Sequence, residues 1–473
     1  MNTTICILLL RTLLLLLLLL FNDAAEAQSI VQTLPGYAGP LPFKLETGYI
    51  SVGEKDEIQI FYYFIESQSN PKKDPLVVWH TGRPECKSFI GLTYDIGPLK
   101  FNVSEGFDGS LPTLYLNPYS WTKTSSFIFI DWPAGIGFSY SNVSRSYLSS
   151  DTKSAKDNYA FLRKWLLKHP TYITNRLYIA GDSYGGKMAV LVANEISKGN
   201  EAGLWPKMFL QGLILGNPFS TTLNSTYSDR IPFAHCVALI SDEYYEAAKS
   251  SCDGVYYNPD PNNLECVYVL REIQKCIKDI NPTHILAPKC SGDFAPKPDE
   301  FRRDRIIMEN DSLNHLYLSS QEDACLLQSN APSYVWANNP SVQEALHIRK
   351  GTIKQWGRCD SNYDFDQNVD SAIPYLGLLS KQEYQILVYS GDHDMIVPHI
   401  NTLNWIRNLN ITLDDDWRPW SVNGQIAGYT EKYVNNDFSL TFATVKGGGH
   451  VAAYDYPKEC LAMIERWLAL YPL

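Results

Sequence analysis

A mostly parallel β-sheet covered by helices on both faces is the fold class this sequence predicts, and three observations predict it. Short apolar runs at 58–65, 76–80, 127–131, 177–180 and 210–215 recur along the first half of the chain. Each has the length and apolar character of a strand; four are near-continuous, as buried strands are, and 58–65 alternates. Helical patterns lie between them: 154–168 carries Ala160, Phe161, Trp165 and Leu166 on related turns, and 187–196 follows the fourth run. Strands alternating with helices build parallel sheets whose two faces are both covered. The third observation is the exit of the fourth run into Gly181-Asp182-Ser183-Tyr184-Gly185-Gly186 and directly into a helical pattern.

A Gly-x-Ser-x-Gly between strand and helix is the layout of a nucleophile elbow. The serine hydroxyl then projects from the end of a central strand, and the next backbone N–H faces a developing oxyanion. Glycine at both flanks keeps Cβ atoms out of a crowded turn. Two later segments continue the pattern. The apolar run 386–389 ends in Ser390-Gly391-Asp392-His393-Asp394, and Lys446-Gly447-Gly448-Gly449 leads into His450. Ser, then Asp, then His is the chain order of an α/β-hydrolase triad. Asp392 and Asp394 both stand as candidates for the acid, since either could also be a turn residue closing a strand. Asp414, Asp415 and Asp416 read as a solvated acidic run.

The chain divides accordingly. Residues 1–27 read as a signal peptide: an apolar run at 13–21 follows Arg11, and Ala25-Glu26-Ala27 before Gln28 fits a small-x-small cleavage site. That run is too short for a comfortable membrane span, and no later stretch could span one. The first part of the core covers 28–219. Over 220–339 the strand rhythm stops and short helices with a group of cysteines take over, as expected of a helical cap insertion; 340–473 resumes the core and ends in a helix near 459–470. Within the insertion, 291–321 contains the charged, proline-bearing stretch 295–305, the signature of an exposed linker.

Composition agrees with a secreted globular enzyme. With 45% hydrophobic and 13% aromatic residues over 473 positions, the chain can bury a large core. A formal net charge of -11 argues against a nucleic-acid or anionic-membrane partner. Sequons at Asn102, Asn142, Asn224, Asn310 and Asn410 suit the secretory route. Nine cysteines remain once Cys6 leaves with the signal peptide, so at least one is unpaired within the chain.

Beyond these patterns the chain resembles the serine carboxypeptidase-like proteins of plants, from about Val31 to the C-terminus. The resemblance rests on Gly-Asp-Ser-Tyr-Gly-Gly at 181–186, Leu-Gly-Asn-Pro at 215–218, Ile-Pro-Phe-Ala-His at 231–235, Gly-Phe-Ser-Tyr at 137–140, Trp-Ala-Asn at 336–338 and Ser-Gly-Asp-His-Asp at 390–394. It implies an α/β-hydrolase fold and a catalytic triad of Ser183, Asp394 and His450, with the backbone N–H groups of Arg83 and Tyr184 as the oxyanion hole. It also implies the disulfides Cys86 with Cys359, Cys252 with Cys266 and Cys290 with Cys325, leaving Cys276 and Cys460 without an assigned partner.

Within the family, peptidases carry Glu before the nucleophile and Asn after the early core strands, groups that hold a peptide's free carboxylate. Here those positions are Asp182 and Thr81, followed by Gly82, and both choices resemble the acyltransferase branch. That branch moves acyl groups from 1-O-acyl-β-glucose donors to hydroxylated plant metabolites in the vacuole or outside the cell, and some members lose a linker near 291–321. Neither metal nor organic cofactor is implied. A carboxypeptidase is the first alternative. The second is a non-catalytic companion of a related enzyme, because the family's oxyanion loop reads Gly-Gly-Pro-Gly-Cys-Ser-Ser and this one reads Gly82-Arg83-Pro84-Glu85-Cys86-Lys87-Ser88. A positive φ at Arg83 would cost about 1–2 kcal/mol, and its side chain could fill the hole or bind an acidic group. Trp132 and Cys236 also depart from the family; Trp132 reads as core packing over a cleft-narrowing residue, and Cys236 as a buried thiol.

Overall fold

The computed structural model describes residues 29–103, 107–290, 331–353, 355–359 and 363–473. Its central sheet contains β1 (Ser29–Val31), β2 (Leu45–Val52), β3 (Ile58–Ile65), β4 (Leu76–His80), β5 (Ser126–Ile130), β6 (Leu177–Asp182), β7 (Leu210–Gly216), β8 (Gln385–Gly391), β9 (Thr412–Val422), β10 (Gln425–Asn435) and β11 (Phe438–Val445). Their spatial order is β1-β2-β3-β5-β4-β6-β7-β8-β11-β10-β9, and the short strand Tyr140–Ser141 pairs with β3 off this path. The six central strands β5-β4-β6-β7-β8-β11 are mutually parallel, and the flanking strands run antiparallel. This is the α/β-hydrolase fold. Strand β6, which leads into Ser183, lies between β4 and β7.

Alternate side chains feed two separate cores, as the period of a strand requires. Trp79, Tyr178, Ile214 and Leu387 pack into one. Their immediate neighbours Val78, Ile179, Leu213 and Val388 pack into the other, under Trp165 and Met188. The helices Asp151–Lys168 and Tyr184–Glu201 begin three residues earlier than their apolar pattern indicates, because Asp151, Gly185 and Gly186 are buried without being large apolar residues. Ser150 caps the first by accepting the Lys153 N–H.

The acidic run at 414–416 is solvated, as expected, with Asp414 and Asp416 exposed and Asp415 half-buried. Those residues lie in β9, paired with β10 and carrying register shifts around Asp415. As the edge strand of the sheet it needs no buried face, so its charges can stand in solvent and still belong to a strand.

Between β7 and β8 the described residues are mainly helical, with Leu223–Ser228, Arg230–Cys236, Asp242–Ser251 and Leu264–Ile277 first. These helices share a small core of Ile231, Phe233, Ile240, Val269 and Ile273, into which Met395 of the core enters. Cys252 and Cys266 are bonded, as are Cys86 and Cys359. Cys290 is disulfide-bonded; its expected partner Cys325, the expected linker 291–321, Asn310 and the signal peptide lie outside the described residues. Cys236 is exposed and free, contrary to the expectation of a buried thiol. It is the last residue of a short helix whose buried side is made by Ile231, Phe233 and Ala234. Asn102, Asn142, Asn224 and Asn410 are exposed. No described helix is long and apolar enough to cross a membrane.

One buried carboxylate ties the loop after β4 to the turn after β5. Asp131 accepts from Ser88 N at 2.9 Å, Ser88 Oγ at 2.8 Å and Phe138 N at 3.0 Å. Replacing Asp131 with Asn turns one acceptor into a donor that faces a donor. We expect a loss of about 2–3 kcal/mol, read as a lower urea midpoint with an unchanged slope.

Candidate active site

β6 enters its helix through Ser183, which holds φ 53° and ψ -123°. A non-glycine residue in that region is strained and needs its surroundings to keep it there. Here the surroundings are backbone. Ser183 N donates to Gly216 O at 2.9 Å, and Ser183 O accepts from Phe219 N at 2.9 Å. A Cβ at Gly185 would stand 2.0 Å from His80 O, and one at Gly181 2.5 Å from the Gly185 carbonyl carbon. Only glycine admits so close an approach of helix to sheet.

The base is presented from the far side. His450 Nδ1 donates to Asp394 Oδ2 at 2.7 Å, and Asp394 is fully buried. The same carboxylate accepts from Asn217 Nδ2 at 2.8 Å, Ile396 N at 2.7 Å and Val397 N at 3.3 Å. Asp392 goes elsewhere: its Oδ1 takes Gly447 N at 2.7 Å and lies 2.6 Å from His393 Nδ1. Of the two acids open in the sequence, Asp394 is therefore the one that meets His450. The insertion reaches this point as well, since His450 N donates to Thr283 O and Met395 N to Pro282 O.

Burial by itself would pull the His450 imidazole down. The charge and hydrogen bond of Asp394, with the Asp182 carboxylate behind them, overrule it and raise its pKa above the ordinary value. Asp182 borders the same narrow cleft as His450, together with Asp95, Gly216 and Asn217. Burial raises the Asp182 carboxyl, partly offset by the Gly82 N–H that donates to its Oδ1 at 3.0 Å. Asp95 is pushed up further, by burial first and then by Asp182. Its Oδ2 has no hydrogen-bond partner among the described residues, and neither does the buried hydroxyl of Thr81.

Sequence patterning does not reveal Asp95, Asn217 or Asp151. Asp151, the first residue of the helix before β6, accepts Tyr184 Oη at 2.6 Å and lies 3.3 Å from Lys187 Nζ. This buried ion pair, capped by Val369 N at 3.0 Å, locks the ring of the residue that follows the nucleophile. Tyr184 is the first residue of its helix, so its N–H has no intrahelical partner. Asn217 carries a faint signal, an amide in the Gly-Asn-Pro turn ending a buried strand.

The altered loop is less disruptive than its sequence suggests. Its positive φ falls on Gly82, at 21°, and not on Arg83. The strain anticipated for Arg83 does not arise. The Arg83 side chain is 72% exposed and pairs with Glu85 at 3.0 Å, so it points out of the site. Trp132 is buried between His80 and Phe365, with ring centroids 5.8 and 6.4 Å away, a packing role.

A strained serine at a strand-to-helix elbow, with an Asp–His pair on neighbouring strand ends of a parallel sheet, defines the α/β-hydrolase class. The chain belongs to the serine carboxypeptidase family, whose profile matches residues 35–470. It is 44% identical over 448 residues to serine carboxypeptidase-like 17 of Arabidopsis thaliana, covering 95% of this chain and 94% of that one. Serine carboxypeptidase-like 16 of the same plant is 45% identical over 445 residues, with 94% of each covered. Among solved structures, a prohormone-processing carboxypeptidase from Saccharomyces cerevisiae superimposes with a TM-score of 0.66 at 20% identity, covering 90% of this chain and 91% of that one; it shares the fold.

Two outcomes follow from this geometry. Arg83→Gly is expected to change phosphonate labelling of Ser183 by no more than about twofold, as for an outward-facing side chain. Labelling should fail on the acid side as His450 becomes protonated. Because the Asp182 charge helps to raise the His450 pKa, Asp182→Asn should move that acid limb to lower pH in a pH series of labelling rates.

Proposed function

We propose that this protein is an acyltransferase that moves an acyl group from a 1-O-acyl-β-glucose to a hydroxyl of a plant metabolite through an acyl-serine. The observation that carries the reading is the pair Thr81 and Asp182 beside the nucleophile. Asp182 is a methylene shorter than the glutamate of the peptidases, and one of its oxygens is already engaged by Gly82 N–H. Thr81, buried where the peptidases carry Asn, offers a hydroxyl in place of the amide that helps to hold a peptide's free carboxylate, a group that an uncharged glucose ester lacks.

Ser183 attacks the ester carbonyl as His450 takes its proton, and Asp394 holds the imidazole in the tautomer that leaves Nε2 free. The tetrahedral oxyanion is held by the N–H groups of Tyr184 and Arg83. Among the described residues nothing accepts from the Arg83 N–H, which supports a working hole over a non-catalytic companion. Loss of one such donor costs on the order of a hundred- to a thousand-fold. Glucose leaves with the proton from His450. His450 then deprotonates the acceptor hydroxyl, whose oxygen attacks the acyl carbonyl and releases Ser183. Water competes at that step, so the site must hold an acceptor and exclude solvent. The reading places the enzyme in the secretory route, ending in the vacuole or outside the cell.

Intact-protein mass spectrometry after brief exposure to a panel of 1-O-acyl-glucoses tests this. An acyl-sized mass gain that is absent in Ser183→Ala and discharged by an added hydroxylated acceptor is expected. Release of C-terminal residues from peptides at a rate exceeding acyl transfer would favour the carboxypeptidase instead.

A further inference from the structure

A second, larger cavity of about 580 Å³ lies behind the catalytic loop, a volume suited to a small organic molecule. Two of its lining residues connect it to the cleft of His450. Tyr94 lines it and precedes Asp95 of the cleft. Asp455 lines it and accepts Gly449 N at 2.8 Å, the residue before His450. His284 of the insertion closes over the same point: a Cβ on Gly449 would stand 2.7 Å from its Cβ.

The lining has a definite chemistry. Tyr115, Tyr119 and Tyr456 contribute rings that are 48%, 36% and 37% exposed, so their faces are available to a ligand. Lys100 supplies a cation held over the Tyr454 ring at 5.2 Å, with one ammonium proton on Tyr94 O. Burial draws the Lys100 pKa down to about 8 against the opposing pull of Asp95 and Asp455, which leaves it charged at neutral and acidic pH. Cation and carboxylate stand together, so a free aromatic acid would be attracted by one and repelled by the other. A neutral ring with hydroxyl groups suits both, accepting from Lys100 and donating to Asp455 while stacking on tyrosine faces.

We propose that this cavity binds a flat, polyhydroxylated aromatic molecule, a ligand site separate from the cleft of His450. Its aromatic body sits among the tyrosines, with hydroxyl groups directed to Lys100 and Asp455 beside the loop that carries His450.

The test uses 2,3-dihydroxynaphthalene as a fluorescent probe and its saturated counterpart, decalin-2,3-diol, as competitor. On Ser183→Ala protein, fluorescence anisotropy should show saturable binding that the saturated diol does not displace. Lys100→Met and Tyr119→Ala should each weaken it at least about fivefold, and Lys100→Arg, which keeps the cation, should retain it. No saturable binding, equal displacement by the saturated diol, or affinity indifferent to both variants at unchanged melting temperature would overturn the proposal. Phosphonate labelling of wild-type Ser183 is read separately. Labelling without probe binding sinks the cavity alone, and binding without labelling sinks the catalytic reading while the cavity stands.

Discussion

The contact on which the site depends is the approach of the helix Tyr184–Glu201 to the end of β4, where Gly185 lies against His80 O so closely that a Cβ would stand 2.0 Å away. That approach keeps Ser183 at positive φ and places the first N–H of the helix beside it. The same terminus carries the positive end of the helix dipole, which favours negative charge. Strain at one residue is maintained because strands on both sides of β6 are fixed by their ladders and by two apolar cores.

Around that point the buried polar groups form linked sets. Asp394 gathers His450, Asn217 and the backbone of its own loop onto one carboxylate, so the tautomer and the orientation of the imidazole are set together. Asp151 does the equivalent for Tyr184, with Lys187 neutralising it. Removing one member of such a buried pair exposes the other to the full cost of desolvation, commonly about 3–5 kcal/mol, which explains why these charges sit beneath the elbow and not on it. The insertion takes part through Thr283 and Pro282, whose carbonyls hold the His450 and Met395 backbone. The cap and the catalytic loops are thereby one structure.

Charge in the cleft links its buried acids to the imidazole. Asp182 raises the His450 pKa and is itself raised by burial, and burial together with the Asp182 charge raises Asp95 behind it. The behaviour of the base is therefore tied to the residue that precedes the nucleophile. A change at Asp182 alters both the ground that a substrate meets and the pH at which the imidazole is free.

Much of this was legible in the amino acids alone. The apolar runs that become β3 to β8, the helices around β6, and the order of Ser183, an acid and His450 follow from side-chain period and from turn chemistry, which are local properties. The choice of Asp394 over Asp392, the orphaned hydroxyl of Thr81, and the roles of Asp95, Asp151 and Asn217 were decided only by the tertiary structure. Each depends on which side chains are brought together across tens or hundreds of residues, and a buried acid among apolar neighbours reads locally like any turn residue. Arg83 shows the same boundary from the other side: its identity left open whether the side chain turns inward, and only the folded loop, with its positive φ on Gly82 and Arg83 paired to Glu85, turns it outward.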